Sequence, residues 1–150
     1  MPYQLFHDIF PNQAERETRV IHLSGPHPFT GVPAGEYGLL EAFCNEKGCD
    51  CRRVMWMVSS GRTNETVAVV AYGWGSPSFY RNWYGGDDPY IVQEMRGPIL
   101  NLASPQGPYA PAILDMLTRI ILTDKQYIAR VKRHYTQFRN KIKTGARFRA

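Results

Sequence analysis

The sequence predicts an α+β fold, an antiparallel sheet with a short middle helix and a C-terminal helical hairpin. Three observations carry this reading. The first half holds four short runs rich in β-branched and aromatic residues, separated by brief polar or Gly/Pro breaks. Ser76-Pro77 opens an aromatic segment at helical spacing. The last third carries two apolar stripes of helical period with a capping pattern between them.

Each element has its own local signal. Leu5, Phe6, Ile9 and Phe10 precede Pro11 and form an apolar arm suited to closing the core. Thr18 to Leu23 reads as a strand, ended by the loop Ser24-Gly25-Pro26-His27-Pro28. Tyr37 to Phe43 reads as a second strand, with Tyr37, Leu39, Glu41 and Phe43 on one face. Arg53 to Ser59 and Thr66 to Trp74 are the third and fourth. The polar break between them contains Asn64-Glu65-Thr66, a sequon read here as a loop. Short connections favour antiparallel pairing.

Ser76 caps the middle helix, Pro77 takes its first position, and Gly85-Gly86 ends it. Asp87-Asp88 before Pro89 reads as a solvated turn, and Ile91 to Leu102 as a short strand around Gly97-Pro98. The aromatic stretch from Tyr72 to Tyr90 reads as core packing, with a base-stacking platform or a ligand pocket as the alternatives. From Pro111, residues Ile113, Leu114, Leu117, Ile120 and Ile121 form one apolar stripe. Thr123 with Gln126 three residues later reads as a capping box, flanked by Leu122 and Tyr127 as a hydrophobic staple. A second helix then places Ile128, Val131, Tyr135, Phe138 and Ile142 on one face. The helical hairpin spans 111–143, a basic tail spans 144–150, and the 150 residues read as one domain by length.

Composition narrows the class. Hydrophobic residues at 43% and charged ones at 21% are ordinary for a folded protein. The N-terminal stretch has no basic region leading into an apolar run, so no secretory leader is expected in it. The longest apolar run, Val67 to Tyr72, is far too short to span a bilayer, which predicts no membrane partner. Three crowded cysteines argue against a disulfide framework and for reduced thiols in the cytoplasm. Charge is divided unevenly. Residues 119–150 hold ten Lys or Arg against one acid, whereas residues 1–118 hold eight against twelve. That asymmetry points to a polyanionic partner without specifying it.

The three cysteines are the chemical signal. Cys44, Cys49 and Cys51 lie within eight residues, as C-x4-C-x-C, between two expected strands. Zinc takes four N or S donors at tetrahedral angles, so the cluster reads as a structural Zn²⁺ site completed by a histidine. His22 and His27 are the favoured fourth ligands. His7 and His134 are less suited, and Glu41 and Asp50 are oxygen donors ill matched to a thiolate site. The alternative is a set of inert or redox-active thiols. An iron–sulfur cluster lacks its fourth cysteine. No G-x-S-x-G, P-loop, H-E-x-x-H or zinc-deaminase pattern is present. On the last helix, Lys125, Lys132, Arg139 and Lys143 line one flank of the apolar seam and suit nucleic-acid phosphates, unless they are only a solvated face.

Two stretches resemble a group of uncharacterised bacterial proteins. One runs from Gly35-Glu36-Tyr37 through Glu41-Ala42-Phe43-Cys44 to Cys49-Asp50-Cys51-Arg52-Arg53-Val54. The other runs from Tyr127-Ile128-Ala129-Arg130-Val131-Lys132-Arg133-His134-Tyr135 to Phe138. Some such proteins carry a SEC-C type zinc motif, a dense Cys-Pro-Cys-Gly pattern not found in these 150 residues. The resemblance implies a metal-binding cysteine turn and a helical hairpin, and no activity. The expected role is a zinc-stabilised binding module, contacting nucleic acid through the basic helix. A protein–protein interaction module and a thiol-dependent enzyme with Cys51 as nucleophile are the alternatives.

Overall fold

A computed structural model describes residues 2–144 and has the expected α+β architecture. In chain order the elements are β1 (Tyr3–Leu5), α1 (Phe6–Ile9), α2 (Pro11–Glu17), β2 (Arg19–Leu23), β3 (Gly35–Cys44), β4 (Arg53–Ser60) and β5 (Thr66–Gly73). There follow α3 (Pro77–Tyr84), α4 (Pro89–Arg96), β6 (Ile99–Leu100), α5 (Ala110–Ile120) and α6 (Lys125–Thr144). The sheet is antiparallel in the order β1-β3-β4-β5-β6, and β2 pairs with the same edge of β3 as β1. The two short strands share that edge because they meet different halves of it: Tyr3 faces Cys44, whereas Leu23 faces Gly35.

Side-chain alternation divides the sheet into two faces. Leu39, Glu41 and Phe43 on β3, Val54, Trp56 and Val58 on β4, and Ala68 and Val70 on β5 point to one side and are buried. Helix α5 lies over β5 and β6, and α6 over β3 and α1. Their apolar stripes, Ile113, Met116, Leu117 and Ile121 on one helical arm and Tyr127, Val131, Tyr135, Phe138 and Ile142 on the other, close the core. On the opposite face Ala42, Met55, Met57 and Val69 floor a cleft of about 600 Å³ rimmed by Tyr3, Arg53 and Asn101. None of the described helices is long and apolar enough to cross a membrane.

Several local expectations are refined by geometry. The apolar arm is β1 and α1, with Phe6 buried against Phe43 and Phe10. The break between α5 and α6 is capped by Asp124, whose carboxylate accepts from the Tyr127 N–H at 3.0 Å. Thr123, read as the cap, instead turns its hydroxyl back to the Arg119 carbonyl at 2.8 Å. Residues 89–96 form α4 where a strand was expected: Asp88 caps it and Pro89 starts it, leaving only Ile99–Leu100 as β6. Within the aromatic stretch, Tyr72 stacks on Trp56, Trp74 meets Tyr135 edge-on and Tyr80 is fully buried, whereas Trp83 and Tyr90 are exposed. The tail read over 144–150 lies outside the described residues except for the backbone of Thr144.

Gly73, the last residue of β5, is where the aromatic packing is tightest. A Cβ there would strike the Tyr80 hydroxyl and sit 2.6 Å from the Met95 carbonyl oxygen. Overpacking of this kind costs about 1–3 kcal/mol. Gly73→Ala is therefore expected to lower the urea midpoint at unchanged m-value; a midpoint equal to wild type would refute the constraint.

Candidate metal centre

Strand β3 ends at Cys44 and β4 begins at Arg53, so residues 45–52 form a turn at the end of the sheet. Two residues in it adopt positive φ, Gly48 at 77° and Arg52 at 51°. These reversals wind the chain tightly enough to bring all three cysteines inward. The Sγ atoms of Cys44, Cys49 and Cys51 all lie within 4.8 Å of one another. Cys44 and Cys51 have no exposure, and Cys49 is half-buried.

The surrounding elements hold this turn by its backbone. The Arg139 guanidinium of α6 donates to the Cys44 carbonyl and, at 2.7 Å, to the Glu46 carbonyl. Tyr135, one turn earlier on α6, accepts the Arg52 N–H at 3.1 Å and donates to the Asp50 carboxylate at 2.9 Å. From α3, the Tyr80 hydroxyl lies 3.0 Å from both the Cys51 and Arg52 carbonyl oxygens. On the sheet side the Asn45 N–H bonds the Pro2 carbonyl at 3.0 Å. These bonds tie the backbone of the turn to α6, to α3 and to the N-terminal segment.

The electrostatics are those of a desolvated sulfur cluster. Burial, together with the neighbouring Cys51, pushes the Cys49 thiol up to about 12. Burial and Cys44 likewise raise Cys51, against the backbone N–H and positive charge of Arg53. Burial raises the Tyr80 hydroxyl to about 12, and raises Tyr3 and Tyr135 also, with the sulfurs adding to the effect. These shifts run opposite to the lowered pKa values that activate nucleophilic cysteines. As a donor set, three convergent sulfurs suit a soft or borderline metal ion, which would displace their protons on binding.

The predicted histidine ligands lie elsewhere. His22 pairs with Glu36 across β2 and β3, with 3.0 Å between Nδ1 and Oε2, and is largely exposed. Glu36 and Cys44 are eight residues apart along one strand, about 26 Å at the rise of a β-strand. His27 is buried in the loop beyond β2, its ring set 5.9 Å from Phe29. Among the described residues no histidine, aspartate, glutamate or further cysteine joins the three sulfurs. The basic flank is also altered. Lys125, Lys132 and Lys143 are exposed on α6, but Arg139 points inward as the clamp on the cysteine turn.

A second polar cluster has no short sequence motif. Glu41, placed by alternation on the buried face of β3, is 6% exposed and lies 2.7 Å from His134 Nδ1. Its other oxygen accepts from the Tyr127 hydroxyl at 2.7 Å, which in turn accepts from Trp56 Nε1 at 3.1 Å. His134 Nε2 lies 2.7 Å from Glu17, whose carboxylate also accepts from Gln13. Phe6 stacks on the imidazole at 4.3 Å. Both ring nitrogens thus face carboxylates, and the cluster ties α6 to β3 and α2. The available signal was a lone acid on the apolar face of a strand, which demands a buried partner. Comparison of the chain with family models, with curated proteins and with solved structures finds no significant match.

Proposed function

We propose that the chain is a zinc-stabilised binding module, with Cys44, Cys49 and Cys51 holding the ion and α6 presenting a basic contact surface. The observation that carries this is the convergence of three sulfurs within 4.8 Å. Sulfurs bound tetrahedrally to zinc at about 2.3 Å lie about 3.8 Å apart, so only small side-chain rotations are needed. Zn²⁺ with three thiolates leaves one net negative charge, which Arg53 beside Cys51 offsets. Lys125, Lys132 and Lys143 with Arg133 supply exposed positive charge suited to a phosphate backbone.

The thiol-enzyme alternative has weaker support, because the Cys49 and Cys51 thiols are raised and no histidine joins the cluster among the described residues. Metal analysis of the purified chain is expected to give one zinc, lost in the Cys44→Ser/Cys51→Ser variant. A gel shift with single-stranded RNA or DNA should weaken steeply with salt and with Lys125→Ala/Lys132→Ala. A zinc-free protein would overturn the metal reading. Absent or salt-insensitive binding would favour a protein partner over nucleic acid.

A further inference from the structure

Resting on the metal reading above, we propose that the three-sulfur site accepts its fourth ligand from solution, a small anionic thiol entering beside Cys49. The described residues supply three donors, and the nearest carboxylate in sequence, Asp50, is engaged by Tyr135 at 2.9 Å and by Arg52 at 3.1 Å. The burial of the three sulfurs is asymmetric. Cys44 and Cys51 have no exposure, while Cys49 is half-buried. Cys49 also lines a cleft of about 500 Å³ between the cysteine turn and the last turns of α6. That volume is within the range of small-molecule sites. A ligand entering it meets the metal position from the Cys49 side.

The walls of the cleft decide the ligand class. Lys47 from the turn and Lys143 from α6 both line it and are exposed, so the rim is cationic. The single acid on the wall, Asp50, already has Arg52 as its ion-pair partner. A thiolate-rich site favours a further sulfur donor over a carboxylate or phosphate oxygen. A fourth thiolate raises the net charge of a zinc site to −2, and the lysines of the rim favour both that charge and a second anionic group on the same molecule. The ligand exchanges its thiol proton for the metal bond: the S–H bond breaks, the metal–sulfur bond forms and the proton passes to water. No electron transfer is involved.

Cobalt(II) provides the test, because its visible bands report the fourth donor. The cobalt-loaded chain is titrated with 3-mercaptopropionate, with the neutral 2-mercaptoethanol, and with inorganic phosphate. The expected result is a shift of the visible bands with cobalt retained, with the anionic thiol binding at least fivefold more tightly than the neutral one. Phosphate should leave the bands unchanged. In Lys47→Ala/Lys143→Ala the preference between the two thiols should fall to near unity while cobalt uptake persists. Cobalt bound through thiolates with bands that no thiol moves, or that vanish as cobalt is stripped, would overturn this inference and leave the metal reading standing. Equal response to both thiols in the wild-type chain would overturn it as well. Failure to take up cobalt at all would overturn the metal reading itself, and this inference with it.

Discussion

His134→Leu is expected to destabilise the fold by about 3–5 kcal/mol, because it strands Glu41 as an uncompensated charge in the core. Among the described residues the Tyr127 hydroxyl, which accepts from Trp56 and donates to Glu41, would be the neutral partner left to that carboxylate. Leucine roughly fills the space under Phe6, so the loss would be electrostatic rather than a cavity effect. The double variant Glu41→Leu/His134→Leu removes both charges and should be far less damaged than the sum of its single changes. Additive losses in that cycle would contradict the pairing.

The same network sets a pH dependence. Burial disfavours the imidazolium, but the Glu41 and Glu17 carboxylates outweigh it and raise His134 above its ordinary 6.5. A raised folded value means that stabilisation is complete below 6.5 and is lost as pH climbs through the folded pKa. Glu17 is shifted the other way, lowered from 4.5 by its hydrogen bonds from His134 and Gln13. Its contribution is present above 4.5 and lost as pH falls through the folded value. Urea unfolding of the wild type should therefore weaken on the alkaline side of 6.5, and that alkaline decline should be missing in His134→Leu. A profile identical in both proteins would show that His134 is not the group responsible.

What was legible in the chain follows from the range of the interactions. Strands β2 to β5 and helices α3, α5 and α6 announce themselves through alternation, periodicity and caps, all of which act within a few residues. Helix α4 was missed because Ile91 and Val92 look β-prone. The decisive Asp88-Pro89 entry resembles an ordinary turn, and the Asp88 bond to the Tyr90 N–H is one that an Asx turn and a helix N-cap share. The sulfur cluster was readable because its three members are neighbours in sequence. The histidines expected as fourth ligand fall away for the opposite reason: His22 faces Glu36, at the end of β3 away from Cys44, and His27 lies in the loop between β2 and β3. Glu41 and His134 are 93 positions apart, and only the packing of α6 across β3 brings them together. Arg139 shows the same limit. Its spacing matches a phosphate-facing flank, yet the proximity of the Cys44 and Glu46 carbonyls turns it inward.

Stripping zinc from the loaded chain is expected to lower its melting temperature by roughly 10 °C while leaving its far-UV circular dichroism nearly unchanged. The size follows from mass action, since a ligand at a thousand times its Kd stabilises by about 4 kcal/mol. For a chain of this length each kcal/mol moves the midpoint by about 2–4 °C. Global unfolding is not expected, in contrast to small zinc fingers that depend wholly on their metal. The reason is the core: Trp56, Leu39, Ile113, Leu117 and Phe138 are fully buried in a hydrophobic cluster that does not include the three cysteines. The turn itself also keeps its bonds to Tyr80, Tyr135 and Arg139 when the metal leaves. Loosening should therefore be local, with faster amide exchange at residues 45–52 than in β4 or α5. Cys51→Ser should melt near the chelated wild type and ignore added zinc, because a hydroxyl replaces a fully buried donor. A wild-type melt that does not respond to zinc or chelator would show that the cysteine turn holds no stabilising metal. Collapse of the dichroism on chelation would show that the apolar core is too weak to stand without it.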